Sequence, residues 1–302
     1  MEETLEKRPL TQSSMNCVAR CEEKYRVRYI EGLRRSEYTP ALTVGTAFHA
    51  GIEHGSPLAA DAVLLEAMEV ASYLDKVAAI EAMRPVVRAM VSGALSLWAD
   101  WPAPEAREVK FELPLINPGT GAPSTRHIFA GVFDGVFLPD ELGAQAQEVR
   151  LLEMKTTSRL DADYLRRLAL DPQISAYCLA ASAKYGVPGR EVVYRVVRKP
   201  SIRQRKNESP EEFADRVSAD YLERPEFYFA EEIVTRTDAQ LERWHHEMWE
   251  SHRRVMRLEN GGMSVRNTQH CLDFGRCDYF DLCRGVITAD DFMAVDNVNP
   301  EL

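Results

Sequence analysis

The chain has 302 residues, of which 45% are hydrophobic and 28% charged, a balance typical of a globular protein with a substantial core. No apolar run reaches the roughly 20 residues of a membrane helix, and the charged start, MEETLEKRPL, is unlike a secretory signal, so we expect a cytoplasmic protein with no membrane partner. The net charge of −10 argues against non-specific coating of nucleic acid, but it is compatible with an enzyme that has a local basic groove.

The first third of the chain has helical patterns. Residues 11–33 mix polar and apolar positions behind possible N-caps, which predicts one helix. The stretch TVGTAFHAGIEHG predicts a second helix, with His49 and Glu53 on one face because they are four residues apart. Residues 57–101 are rich in Ala, Leu, Met and Val at helical spacing, and they predict two further helices that form an insert.

The pattern then changes to that of strands. The strand patterns alternate with a helix that ends at a glycine, so we expect an α/β core in which helices pack on a mixed sheet. A helix near residues 210–223, a short strand within PEFYFAEEIVT and a long helix from Asp238 to about Leu258 follow. The core segments, in order, are REVKFELPLI, RHIFAGVFDGVFL, EVRLLEMKTT, the helix DPQISAYCLAASAKYG, and EVVYRVVRKP.

Two carboxylates are expected to meet across a hairpin. If PDELGAQAQ is its turn, with a midpoint near Gly143, Asp134 lies opposite Leu152 and within one residue of Glu153. Glu153 and Lys155 leave the same face of their strand because they are two residues apart. Paired carboxylates suit a divalent cation such as Mg²⁺ or Mn²⁺, although a surface hairpin with a salt bridge is the alternative for the triplet alone.

Four motifs in this order resemble the RecB-type branch of the PD-(D/E)xK nucleases: GTAFHAGIE, GVFDGVF, LLEMKTT and QISAY. The resemblance implies a restriction-endonuclease-like α/β core, a mixed central sheet flanked by helices, with a helical insert and a C-terminal iron–sulfur segment. It implies that the metal is bound by His49, Asp134, Glu153 and the carbonyl of Met154, that Lys155 is catalytic, and that Gln173 and Tyr177 face the substrate from one helix. Glu53 is either a helix-face partner or a residue that orients His49.

Cysteines are concentrated near both ends of the chain. In an intracellular protein such clusters are better explained by metal or iron–sulfur ligation than by disulfides. The stretch RCEEKYRVRYIEGL resembles the segment that begins iron–sulfur members of the same family, although Glu22 stands where a proline is common. The resemblance implies a 4Fe–4S cluster, with structural Zn²⁺ as the alternative. The implied ligands are Cys21, Cys271, Cys277 and Cys283, with Cys17 as a substitute for Cys21 and Cys178 in the core.

A basic segment, RVVRKPSIRQRK, stands out in an acidic chain. It is either a solvated loop or a contact with the DNA backbone, which needs local positive charge and little base information. The candidate DNA-binding residues are Arg198, Lys199, Arg203, Arg205 and Lys206, and the same segment also contains Arg195. Arg20, Lys24, Arg26 and Arg28 are candidates to continue the track.

Together these patterns predict a Mg²⁺- or Mn²⁺-dependent deoxyribonuclease, by resemblance an exonuclease acting on single strands or DNA ends in repair, recombination or a mobile element. A CRISPR-associated adaptation nuclease and a non-catalytic iron–sulfur DNA-binding module are the alternatives. A helicase or recombinase partner would be a separate chain, because the sequence has no G-x-x-x-x-G-K-[ST] motif. The expected division is an N-terminal helix with the first cluster cysteine (1–40), a helical segment with the motif histidine (41–104), the nuclease core (105–200), a basic link with helices (201–260), and a cysteine-rich segment and tail (261–302).

Overall fold

A mixed six-stranded sheet forms the centre of the molecule in the computed structural model, which describes residues 7–35, 40–69, 74–100, 104–138, 148–273 and 275–302. Its strand order is β1-β4-β5-β6-β7, and β3 pairs along β4. The β1–β4 and β5–β6 pairs are parallel, whereas β3–β4, β4–β5 and β6–β7 are antiparallel. The strands are β1 (Arg8–Leu10), β3 (Ala106–Ile116), β4 (Pro123–Phe137), β5 (Arg150–Thr157), β6 (Glu191–Arg198) and β7 (Phe229–Thr235), and β2 (Leu33–Arg34) pairs with β8 (Met293–Ala294) in a second, small sheet.

Helices cover both faces of the large sheet. No helix in the described ranges is long and apolar enough to cross a membrane. The helices are α1 (Gln12–Arg20), α2 (Glu22–Tyr25), α3 (Pro40–Glu53), α4 (Pro57–Glu69), α5 (Leu74–Glu81), α6 (Arg84–Leu97), α7 (Ala162–Arg167), α8 (Pro172–Tyr185), α9 (Pro210–Glu223), α10 (Pro225–Tyr228), α11 (Asp238–Glu259) and α12 (Phe280–Cys283), with a π-helical turn at Arg26–Ile30.

Alternation along the strands divides the interior into two cores. Leu151 packs in the core under α1, α8 and α11, whereas the next residue, Leu152, packs in the core under α3, α4, α6 and α9. The same alternation separates Val192 from Val193 on β6. A strand that is buried on both faces has a nearly continuous apolar sequence, and β6, with the sequence EVVYRVV, is an example. The expected mixed sheet flanked by helices is therefore confirmed.

Most predicted elements are present, with two corrections among the helices. The described part of residues 57–101 forms three helices rather than two. The chain turns after α5, and α6 begins at Arg84 with Pro85 in its first turn. Proline is tolerated there because a residue in the first turn donates no hydrogen bond within the helix. Trp101, which lies in that segment, is outside the described residues. The sequence reading also missed β1, α7 and the β2–β8 pair, all of them short.

The predicted helix over residues 11–33 is broken at Cys21. This residue is extended, with φ −159° and ψ 113°, and the chain resumes as α2 and then as the π-helical turn. Cys17 and Cys21 consequently do not share one face of a continuous helix, which was the basis for treating them as interchangeable ligands.

Candidate metal centre and nucleic-acid interface

The β4–β5 pair ends where its two carboxylates face each other. Gly135 pairs with Leu152, so the next residues in register are Asp134 and Glu153. The prediction that placed Asp134 opposite Leu152 was wrong by one residue, because Leu152 pairs with Gly135. The predicted turn, residues 139–147, lies outside the described residues. Past the last pair, the Met154 amide donates to Asp134 Oδ2 at 2.6 Å. The Met154 backbone also forms a hydrogen bond with His49, which tends to raise the pKa of that imidazole.

Helix α3 brings a histidine to the same point. The Nδ1 atom of His49 lies 3.6 Å from Asp134 Oδ1. The helix packs on β5, where a side chain at Gly45 would approach Thr156. Glu53 lies one turn further along, and its carboxylate is 4.0 Å from His54 rather than at His49. The predicted pairing of the helix histidine with the strand aspartate is thus present in the fold.

A third carboxylate, from Glu108 on β3, was not anticipated from the sequence. Arg107 pairs with Gly135 and Val109 with Phe133, so Glu108 lies opposite Asp134. Ligand atoms of His49, Glu108 and Asp134 all lie within 4.8 Å of one another. Glu108 has a φ of 48°, a left-handed conformation that costs a non-glycine residue about 1–3 kcal/mol. The stretch REVKFE gives no sequence signal for this role, because strand register alone aligns the three acidic residues.

The E-x-K triplet connects these carboxylates to α8. Lys155 Nζ forms an ion pair with Glu153 Oε1. The Gln173 side-chain amide donates to the same carboxylate oxygen at 2.9 Å and to the Tyr177 hydroxyl at 2.8 Å. The Tyr177 hydroxyl in turn donates to the Val132 carbonyl at 2.7 Å. Gln173 and Tyr177 do share one helix face, as expected, and that face touches the triplet.

Burial and mutual repulsion shape the protonation of the site. Burial raises the pKa of both Asp134 and Glu153, and the Asp134 charge raises that of Glu153 further. Burial and then Asp134 raise the pKa of Glu108 to about 7. Burial and then Lys155 lower the pKa of His49 to about 4, so the imidazole is neutral and able to act as a ligand. Burial alone would lower the pKa of Lys155, but Glu153 and Asp134 outweigh it and the ammonium is retained.

The donor set fits a hard divalent cation. Glu153 is 1% exposed, and its Oε2 atom has no hydrogen-bond partner in the described part of the chain. A buried carboxylate oxygen without a hydrogen-bond partner destabilises the fold unless a cation or a water molecule binds to it. A cavity of about 280 Å³ lies close by and is lined by Glu108, Asp134 and Lys155. Oxygen ligands with one imidazole suit Mg²⁺ or Mn²⁺.

Four of the six cysteines gather on one side of the molecule. A cavity of about 210 Å³ is lined by Cys21 together with Cys271, Cys277 and Cys283, and the amide of Asn267 donates to Cys21 Sγ at 3.5 Å. Cys17 lines a neighbouring cleft instead. Cys178 is fully buried in the core, as predicted. The extended backbone at Cys21 therefore separates the two N-terminal cysteines.

The basic segment divides into buried and exposed parts. Arg195 is buried, with its Nε atom 2.7 Å from Glu231 and its guanidinium 4.6 Å from the Trp98 ring centroid, so this member of the basic segment belongs to the protein interior. Arg198 donates to the Leu160 carbonyl and Lys199 is half-buried. The exposed members are Arg203, Arg205 and Lys206.

Comparison with known proteins gives the same fold. A family model described as "PD-(D/E)XK nuclease superfamily" matches residues 9–284. The crystal structure of a "Putative exonuclease" from Eubacterium rectale is similar with a TM-score of 0.53 and 13% sequence identity, covering 93% of this chain and 89% of that one. No curated protein matches the sequence significantly. At this identity the structural likeness concerns the fold.

Proposed function

We propose that this chain, which belongs to the PD-(D/E)XK nuclease superfamily, is a metal-dependent deoxyribonuclease that hydrolyses phosphodiester bonds. One observation carries the proposal: Glu108, Asp134 and Glu153 come together from three neighbouring strands, His49 and Lys155 lie against them, and a cavity lined by Glu108, Asp134 and Lys155 opens beside the group. A buried salt-bridged hairpin would not need a third carboxylate or an orphaned carboxylate oxygen.

The metal would be held by His49, Glu108 and Asp134, whose ligand atoms lie within 4.8 Å of one another, and the unpartnered oxygen of Glu153 is a further candidate ligand. The Met154 carbonyl is a further candidate ligand. When bound, Mg²⁺ or Mn²⁺ supplies Lewis-acid stabilisation of the scissile phosphate and an activated water. Its positive charge would also relieve the repulsion among the acidic side chains, which otherwise favours their protonated forms.

The protein side chains supply orientation and charge. Lys155, held in its ammonium form by Glu153 and Asp134, would stabilise the negative charge that develops on the phosphate. Gln173 fixes the rotamer of Glu153, and Tyr177 fixes Gln173 through the Val132 carbonyl. The amide of Met154 holds Asp134 in place. Preorganisation of this kind avoids rearrangement during the reaction.

The depth of the site supports action on a strand end or a single strand. Glu153 is almost fully buried, behind Lys155, which lines the cavity. A flexible strand can bring a phosphate to that depth more easily than a stiff duplex can. We therefore propose an exonuclease or single-strand-directed activity rather than cleavage inside intact duplex.

We further propose that the four cysteines of the 210 Å³ cavity hold an iron–sulfur cluster with a structural role. Four thiolates can hold either a 4Fe–4S cluster or tetrahedral Zn²⁺, and the resemblance of RCEEKYRVRYIEGL to iron–sulfur members of the family favours the cluster. Such a group would join residue 21 to the segment after α11.

Cleavage assays on labelled DNA test the proposed activity. Wild type with Mn²⁺ or Mg²⁺ should degrade linear single strands and leave circular or end-blocked strands intact. Asp134→Asn and Lys155→Ala should lose activity by at least about 10³-fold. Lys184→Ala, which removes an exposed lysine, is the control. Binding without cleavage by wild type would instead identify a non-catalytic DNA-binding module, and digestion of circles would contradict the requirement for an end.

A further inference from the structure

A cleft of about 1030 Å³ runs along α1 on the side of the molecule that carries the active site. One wall comes from α1 and α2, and the other from α7 and the loop before α8. It is much larger than the active-site cavity and too open for a small metabolite to be enclosed. Its lining residues include Arg20, Lys24, Arg28, Tyr164, Arg167 and Leu170.

The cleft is strongly basic in an acidic protein. Arg20, Lys24, Arg28 and Arg167 line it, and Asp171 is the one carboxylate among its described lining residues. That carboxylate accepts the Gln173 backbone amide at 2.8 Å as the N-cap of α8, so part of its hydrogen-bonding capacity is already used. A local excess of positive charge against a net charge of −10 indicates an anionic, extended ligand.

The cleft is continuous with the active site at one end. Ser13 and Asn16 line both the cleft and the cavity of Asp134 and Lys155. At the other end, Arg20, Lys24 and His270 also line a cavity of about 240 Å³ beside the cysteines. One depression therefore leads from the cysteine side, along α1, to the carboxylates.

Aromatic and apolar side chains stand on the wall opposite α1. Tyr164 is half-buried, with the Arg167 guanidinium 5.3 Å from its ring centroid. Leu170, in the loop before α8, is 86% exposed at the rim. In proteins that bind single strands, aromatic rings stack on unpaired bases and neighbouring cationic side chains contact the phosphate backbone. In a duplex the bases would be stacked on each other and unable to use it.

We propose that this cleft binds a single-stranded stretch of DNA, with its phosphates along Arg20, Lys24 and Arg167 and a base against Tyr164, and guides it to the carboxylates. The assignment rests on the proposed nuclease function for the choice of ligand. It moves the main DNA contact from the exposed loop of Arg203, Arg205 and Lys206 to a surface that meets the active site directly.

Binding measurements test the cleft without relying on cleavage. In a Lys155→Ala background without divalent ions, the affinity for a fluorescent oligothymidine is measured against salt. Adding Arg20→Ala, Lys24→Ala and Arg167→Ala should weaken binding about 10–100-fold and reduce the salt slope by about 2, since each neutralised contact contributes about 0.7. Tyr164→Ala should weaken binding about 5–100-fold, whereas Tyr164→Phe should retain it.

A triple variant of equal charge is the matched control. Arg166→Ala, Arg243→Ala and Arg253→Ala remove three exposed arginines, one of them next to Arg167, that do not line the cleft. Equal loss in both triple variants, or an unchanged slope in the cleft variant with retained thermal unfolding, overturns the proposal. The proposal is also overturned if the cleft variant loses as much affinity for a blunt duplex as for the oligothymidine.

The outcome separates the cleft from the nuclease proposal. If wild type cleaves no DNA but binding depends on the cleft residues, the nuclease proposal fails and the cleft stands. If wild type cleaves DNA and the cleft variants bind DNA as tightly as wild type, the cleft proposal fails and the nuclease proposal stands.

Discussion

The side-chain amide of Gln173 donates to the Glu153 carboxylate across 2.9 Å, and it ties a helix to the strand that carries the E-x-K triplet. Tyr177 holds the same amide from one turn away. Tyr177→Phe removes that hydroxyl and leaves Gln173 less constrained, so we expect kcat to fall about 10-fold. The free energy of unfolding should fall by about 1–3 kcal/mol, because the Val132 carbonyl loses its buried donor. Steady-state cleavage kinetics would measure the fall in kcat. Tyr185→Phe, on the same helix, should have no effect, and an equal fall there would contradict the positioning role.

Divalent ions should stabilise the fold as well as support cleavage. A ligand at 100 times its Kd adds about 2.7 kcal/mol to the free energy of unfolding. Asp134→Asn should abolish the rise in Tm with Mn²⁺, and without metal this variant should be at least as stable as wild type because it loses repulsion with Glu153. Differential scanning calorimetry tests both. An undiminished Mn²⁺ shift in Asp134→Asn, with Asp163→Asn as the exposed control, would remove Asp134 from the metal site.

Glu108 should show a conflict between stability and activity. Glu108→Gln and Glu108→Gly both remove the charge and should lower cleavage about 10–100-fold. The glycine variant alone also relieves the positive φ, so in EDTA it should be about 1 kcal/mol more stable than the glutamine variant. Urea unfolding measures the difference. Glu112→Gln on the same strand should behave as wild type, and full activity in Glu108→Gln would show that this carboxylate does not bind the metal.

The cysteine cavity predicts a coloured protein. Aerobically purified wild type should be brown, with a broad visible absorption and bound iron, and Cys21→Ser should lose the colour and much of its solubility. Cys271, Cys277 and Cys283 should behave as Cys21 does, because all four line one cavity. Cys17→Ser and Cys178→Ser should keep the colour. A colourless wild-type protein that contains stoichiometric zinc would contradict the assignment of an iron–sulfur cluster.

A buried histidine pair should make stability depend on pH. His252 Nε2 lies 3.2 Å from His127 Nδ1, and His127 Nε2 lies 3.1 Å from Glu259. Burial and then His127 lower the pKa of His252 to about 4. The unfolded chain binds this proton at about pH 6.5, so stability is lost as the pH falls from about 6.5 to 4, by an amount on the order of 1 kcal/mol.

Denaturant unfolding at pH 7.5 and 5.0 measures this dependence. His252→Gln should flatten it, whereas His246→Gln, exposed on the same helix, should leave it unchanged. A wild-type slope that survives in His252→Gln would assign the effect to other groups.

The secondary structure was largely readable from the sequence because each element carries its own periodicity. The alternation that separates Leu151 from Leu152, and the proline and N-cap that begin α9, are local signals. The E-x-K spacing likewise put Glu153 and Lys155 on one face without further information. What failed were short or interrupted elements, such as the break at Cys21, whose extended backbone no local pattern indicates.

By itself the sequence determined the α/β architecture, the pairing of His49 and Asp134 implied by the family motifs, and the same-face relation of Glu153 and Lys155. Tertiary structure decided the rest. Only strand register could bring Glu108 opposite Asp134, because the two residues are 26 positions apart and in different strands. Only packing could bury Arg195 and place Arg20 of α1 and Lys24 of α2 across a cleft from Tyr164. The spacing of residues along one helix or strand decides which of them share a face. Strand register and helix packing decide which residues from distant parts of the chain come into contact.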